Sequence, residues 1–304
     1  MTNKPLVAGV ELGGTKCVCI LGSGPDDIRD IVRIETTAPE VTLGRIAATL
    51  AAWKATTGFD AIGIGAFGPI GLDRGAADYG CVTRTPKPGW NGAAIVDRLA
   101  RPHDVPFGFE TDVNGAALAE GRWGAAQALA HHAYVTIGTG VGVGSIIGGR
   151  PLLGASHMEL GHLRIPRSHG DTWPGACPFH GDCVEGLIAG PAIAARHGVA
   201  GSELDADHPY WHQFSDELTA ALHALVVATW PQRIAIGGGV MASRAALFPG
   251  LIVRLRTSLG GYGLAGAPGF LHDDYIGPPA LGGDAGPLGT IAIGLAALSG
   301  DDRS

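Results

Sequence analysis

Four side chains in the middle of the sequence have the types and spacing of a metal site. His162, Cys177, His180 and Cys183 form the pattern H-x14-C-x2-H-x2-C. Two thiolates and two imidazoles suit tetrahedral Zn²⁺, and the two-residue gaps let one compact loop present three ligands to a single ion. A Cys177–Cys183 disulfide or free thiols are the rival readings, and a reducing compartment disfavours the disulfide. Four protein ligands leave no coordination position open, so such an ion would be structural.

Two glycine turns suggest anion binding. Gly13-Gly14-Thr15-Lys16 and Gly138-Thr139-Gly140 each separate two apolar segments of strand character. A tight glycine turn points several backbone N–H groups into one concavity, which suits phosphate oxygens, and a following Thr hydroxyl adds a donor. One such turn is ordinarily just a turn; two of them, half a chain apart, could hold a triphosphate. A third run, Gly237-Gly238-Gly239, could let an adenosine lie flat against backbone. Asp112 stands between a short strand and a helix, in Glu110-Thr111-Asp112-Val113-Asn114. A lone Asp there is ordinarily a helix N-cap; beside a phosphate donor it is also a candidate general base for a hydroxyl.

The elements that must position these groups follow from periodicity. Strand, glycine turn and strand are expected over residues 6–21, a further strand over 30–36, a helix over 42–57 (Leu43, Ile46, Ala47, Leu50 and Trp53 on one face) and a buried strand over 61–66. Residues 85–92 read as an irregular loop rich in Pro and Gly. A short helix over 93–100, a strand over 105–110 and a helix over 114–122 follow. Residues 134–147 repeat the opening theme. An irregular stretch over 154–182, helices over 187–197 and 214–230, a strand over 233–236 and a final helix over 289–298 complete the reading. The fold class is α/β with a mixed sheet. Two domains are expected, 1–118 and 119–285, with 286–300 a segment that could complete the first.

Bulk properties narrow the function. The chain has 304 residues, 46% hydrophobic and 16% charged, which is ordinary for a globular protein. A net charge of −7 without Lys/Arg runs argues against a nucleic-acid surface. No signal peptide and no convincing membrane-spanning window is found, so a cytoplasmic protein is expected. Cys17 and Cys19 read as core thiols on a strand.

Taken together, the segments Gly9-Val10-Glu11-Leu12-Gly13-Gly14-Thr15-Lys16, Gly138-Thr139-Gly140-Val141-Gly142-Val143-Gly144 and Gly237-Gly238-Gly239-Val240 resemble, in order, the two phosphate loops and the adenosine loop of the ROK family of bacterial sugar kinases and repressors, within the actin/hexokinase-like ATPases. The resemblance runs essentially end to end. It implies two RNase H-like α/β domains with an inter-domain cleft for ATP and a small sugar, Mg²⁺ accompanying the ATP, Asp112 as the base, and a structural zinc on the four residues above. ROK enzymes are commonly dimers, so a homodimer is expected.

The same resemblance implies that Glu159 and His162 contact the sugar, and the expected sugar-binding set is Thr111, Asp112, Glu159, His162, Gly68, Pro69 and Asn91. Thr111 stands where ROK glucokinases carry Asn. With Glu11 and the run Pro278-Pro279-Ala280-Leu281-Gly282-Gly283-Asp284-Ala285-Gly286, it points to the fructokinase branch. Losing an amide donor changes which hydroxyl pattern is satisfied. Glucose, mannose and other hexoses stay as alternative substrates. The repressor branch carries a winged helix-turn-helix before the first loop; here that loop starts at residue 9, so an enzyme is expected rather than a DNA-binding or sugar-sensing protein.

Overall fold

The computed structural model describes residues 4–300, and among them no helix is long and apolar enough to cross a membrane. The chain divides into two compact units. One takes the described residues through Gln127, Pro151–Met158 and those from Asp284 on; the other takes Ala128–Arg150 and Glu159–Gly283.

The first unit opens with an antiparallel meander, β1 (Val7–Leu12), β2 (Lys16–Gly24) and β3 (Asp27–Glu35). Helix α1 (Pro39–Thr56) leads to β4 (Ala61–Ala66), parallel beside β1; α2 (Ile95–Leu99) leads to β5 (Phe107–Thr111), parallel beside β4. The sheet order is β3-β2-β1-β4-β5. Because side chains alternate along a strand, Ala8, Val10 and Leu12 join Ile62, Ile64, Leu43, Ile46, Leu50 and Trp90 in one buried layer. Glu11, one residue out of phase, belongs to the opposite face.

On that opposite face α3 (Asp112–Trp123) and α9 (Ala285–Ser299) pack together, with α9 against β1 and β4. The approach is close enough that glycine is required in the strand: a Cβ on Gly63 would collide with the carbonyl oxygen of Thr290. The final helix thus belongs to the first unit.

The second unit repeats the hairpin with β6 (His132–Ile137) and β7 (Val141–Ile147), edged by β8 (Arg150–Pro151). Then come α4 (Val184–Ile188), α5 (Gly190–His197), α6 (Tyr210–Thr229), β9 (Ile234–Gly237), α7 (Gly239–Ala242), α8 (Phe248–Leu259) and β10 (Ile276–Gly277). The sheet order is β10-β9-β6-β7-β8.

Several elements differ from the sequence reading. The helix expected over 187–197 is two helices, broken at Ala189, whose ψ of 155° is extended; Pro191 then occupies the first turn of α5, where its missing N–H costs nothing. Helix α6 begins four residues before the expected start and ends where Trp230 turns left-handed at φ 45°. Helix α8 lies in a stretch to which the sequence reading assigned no element; Leu251, Ile252, Leu255 and Leu259 form its buried stripe.

Candidate active site

In the first unit, the turn between β1 and β2 is built from below. Gly13 N donates to Lys16 O at 3.1 Å, and Thr36 holds the turn twice: its hydroxyl donates to Gly13 O at 2.8 Å and its N–H to Thr15 O at 3.0 Å. Gly14, Thr15 and Lys16 are exposed above these bonds. The ammonium of Lys87, from the irregular 85–92 loop, donates to Gly14 O at 2.6 Å. Neither Thr36 nor Lys87 was singled out from the sequence.

Asp112 opens α3, but it is not the cap. Thr111 is: its Oγ1 accepts from Asn114 N at 3.2 Å, and the ordinary reading of Asp112 as an N-cap is therefore replaced. Glu110 braces the same turn, accepting from Asn114 Nδ2 at 2.8 Å. Asp112 Oδ1 accepts from Val113 N at 2.9 Å. Burial pushes the Asp112 carboxyl up to about 6, partly countered by backbone N–H groups. Glu11 is pushed further, to about 7, by burial first and by the Asp112 charge second, with Lys16 opposing. The unit therefore sets two coupled carboxylates on the α9 side of the strand that leads into the glycine turn. A base near 6 is ionised at neutral pH and still basic enough to take a proton.

Of the expected sugar contacts in this unit, Gly68 and Pro69 share a cis peptide bond, and the following residue, Ile70, donates its N–H to His157 Nε2 at 3.1 Å. Asn91 is exposed, and its Oδ1 accepts from Thr85 N at 2.8 Å. Thr111 is 4% exposed, so only its backbone and the free side of its hydroxyl could reach a ligand.

In the second unit, Gly138 N donates to Gly140 O at 2.9 Å and Gly138 O accepts from Gly190 N at 2.7 Å, tying the turn to α5. Glu185 Oε2 accepts from Val141 N at 3.1 Å, a further support that the sequence reading missed. Thr139 and Gly239 are exposed. Gly238, at φ 89°, lies so close to the backbone of Ile137 that no side chain fits there.

The four metal-type residues converge in this unit. Their ligand atoms all lie within 4.8 Å of one another. Cys177 Sγ is 3.7 Å from both His162 Nδ1 and His180 Nδ1, and Cys183 Sγ is 3.6 Å from His162 Nδ1. Bond lengths of about 2.3 Å to sulfur and 2.0–2.1 Å to nitrogen give S–N edges of roughly 3.5 Å in a tetrahedron, so the donor set fits zinc. All five cysteines are free thiols, which leaves the disulfide alternative without support. Cys183 also caps α4, accepting from Gly186 N at 3.5 Å. His162 Nε2 lies 4.0 Å from Glu159 Oε2, so one imidazole sits between the Cys/His cluster and an expected sugar contact.

The loop carrying these ligands is anchored by Asp171. Its carboxylate accepts from Arg167 at 2.6 Å, Arg196 at 2.8 Å, Gln213 at 2.7 Å and Trp173 N at 3.2 Å. Burial alone would raise its pKa; the bonds from Arg167 and Arg196 overcome that and hold it well below the usual carboxylate range. The Arg196 guanidinium also stacks over Trp173 at 5.3 Å.

Comparison with known proteins places this architecture. A fructokinase from Pediococcus pentosaceus is 40% identical over 293 residues, covering 96% of this chain and 99% of its own. A fructokinase from Zymomonas mobilis is 36% identical, covering 97% and 98%. The crystal structure of a ROK hexokinase from Thermus thermophilus superposes with a TM-score of 0.77 at 28% identity, over 97% of this chain and 99% of that one. The actin/hexokinase-like fold is thereby established. The ROK family profile matches residues 7–292, and with full-length relatives at 36–40% identity this chain belongs to the ROK family.

Proposed function

We propose that this protein is an ATP-dependent fructokinase, transferring the γ-phosphoryl group of ATP to D-fructose to give fructose 6-phosphate. The observation that carries the reading is Asp112: a carboxylate at the first turn of a helix, raised to about 6 by burial, beside the strand that leads into a glycine turn. Asp112 takes the proton of the sugar hydroxyl as the phosphoryl group leaves ADP. Gly13, Gly14, Thr15 and Lys16 bind phosphate, as do Gly138, Thr139 and Gly140; Gly237, Gly238 and Gly239 receive the adenosine. Mg²⁺ accompanies ATP and neutralises charge on the β- and γ-phosphoryl oxygens.

The sugar is held by Glu159, His162, Thr111, Gly68, Pro69 and Asn91. The fit of His162, Cys177, His180 and Cys183 to a tetrahedron supports a structural zinc that fixes the loop bearing Glu159. The same reading includes a homodimer, with no nucleic-acid partner; the net charge of −7 supports the latter.

The test is a sugar panel with MgATP. Fructose is expected to give the highest kcat/KM. Preference for glucose or mannose would keep the kinase and overturn the fructokinase assignment; no product with any hexose would overturn the kinase.

A further inference from the structure

We infer that Lys87 is an ATP-contacting residue whose ammonium group bears on the terminal phosphoryl oxygens of the nucleotide. The inference rests on the reading of residues 13–16 as the first phosphate loop.

Lys87 lies outside regular structure, yet its loop is fixed. Trp90 is fully buried, its indole N–H donates to Thr37 O at 2.9 Å, and its ring meets Phe67 edge-on at 5.1 Å. Thr85 N donates to Asn91 Oδ1 at 2.8 Å, and Lys87 N donates to Thr85 Oγ1 at 3.3 Å. These bonds aim a long, flexible side chain at one point, the carbonyl of Gly14.

An ammonium has three donors, and Gly14 takes one. Among the described residues, no carboxylate lies within ion-pairing reach of this half-buried cation. Such a charge beside an anion-binding turn is completed by an anionic ligand. Space exists for one: a Cβ on Gly14 would meet nothing within 4 Å.

The other charges of the site make a cation useful there. Glu11 and Asp112 place two carboxyls in the same unit, and among the groups acting on Glu11 only Lys16 opposes them. A nucleotide tail brought to this end needs further positive charge, and a preplaced ammonium supplies it without reorganisation. Oxygens of the terminal phosphoryl group are present in ATP and absent in ADP, so the contact is specific to the reactive end.

The experiment measures binding of ADP and of a non-hydrolysable ATP analogue, each with Mg²⁺, to the full chain and to Lys87→Met and Lys87→Arg. For Lys87→Met, affinity for the analogue is expected to fall about tenfold or more, as for loss of a charge-assisted hydrogen bond, and affinity for ADP less than about threefold. Lys87→Arg should recover most of the loss because it keeps the charge, and it provides the comparison if the Met variant does not fold. Equal losses for both nucleotides would mean that Lys87 only clamps the loop, and unchanged binding would mean that it touches nothing; either result overturns the inference. If the unaltered protein binds the analogue but phosphorylates no sugar, the proposed function fails while the two affinities still decide Lys87.

Discussion

His162 turns its two ring nitrogens toward different partners: Nδ1 lies 3.7 Å from Cys177 Sγ and 3.6 Å from Cys183 Sγ, and Nε2 lies 4.0 Å from Glu159 Oε2. At 4.0 Å the imidazole and the carboxylate are beyond hydrogen-bond distance; what ties Glu159 to the Cys/His cluster is the backbone, where His162 N donates to Glu159 O at 2.9 Å. On the proposed zinc site, losing the metal should therefore disturb Glu159 before it disturbs the glycine turns. For Cys177→Ser, metal analysis is expected to show loss of about one zinc per chain, and steady-state kinetics a rise of about tenfold or more in KM for the sugar with little change in KM for ATP. Unchanged zinc content would reject the four-ligand assignment.

Asp112→Asn keeps the size of the side chain and removes the proton acceptor. Turnover should fall by about 10²–10⁴-fold, while calorimetric binding of the ATP analogue stays near that of the unaltered protein. Near-normal kcat would place the base elsewhere.

The pH profile follows from the coupled pair. Asp112 and Glu11 titrate near 6 and 7, so kcat/KM for the sugar should rise with pH through this range and level off above it. Glu11→Gln removes the upper titration and leaves a single limb near 6. The sign for stability is opposite to the sign for activity. Both carboxyls bind protons more tightly folded than unfolded, so their contribution is present at low pH and lost as pH rises through about 6 and 7. Glu11→Gln should raise Tm of the nucleotide-free protein most at pH 8, with the gain vanishing toward pH 4.5, the ordinary value for a Glu. A gain independent of pH would exclude the charge of Glu11 as its cause.

Thr111 separates capping from recognition. Thr111→Ala removes the acceptor for Asn114 N and should cost about 1 kcal/mol in denaturant unfolding. Thr111→Asn supplies an equally good cap, so stability should stay within roughly 0.5 kcal/mol, and any change in the fructose-to-glucose ratio of kcat/KM then reports sugar recognition alone. An unaltered ratio would remove Thr111 from the specificity set.

Gly63→Ala tests how α9 is seated. Its Cβ would meet the carbonyl of Thr290, which is helix backbone and cannot rotate away. A loss of about 3 kcal/mol or more is expected, at the upper end for overpacking, read as a lower unfolding midpoint with zinc content unchanged.

The reading of Asp112 as a base rests on the resemblance of its segment and of the glycine turns to the ROK family; a carboxylate between a strand and a helix, by itself, reads as a cap. The same local pattern could not say which of Thr111 and Asp112 caps α3, because both are accepted capping residues and the choice depends on where β5 delivers the chain. The split between α4 and α5 was written in Pro191, yet the break falls two residues earlier. Helix α8 carried a readable apolar stripe but no strong capping residue. Thr36, Lys87 and Glu185 were invisible for a different reason: each reaches its glycine turn from a residue at least 21 positions away, Thr36 by two hydrogen bonds and Lys87 and Glu185 by one each.

What the sequence determined by itself was the set of glycine turns, the apolar alternation that makes the two sheets, and the spacing of the zinc-type ligands. These are short-range properties, fixed by backbone sterics and side-chain period. The tertiary structure decided what supports each turn, which carboxylates share one face, and how far their protons are held. Those depend on burial and on distances between segments remote in the chain, and a desolvated carboxyl like that of Glu11 acquires its pKa only once α9 has closed over it.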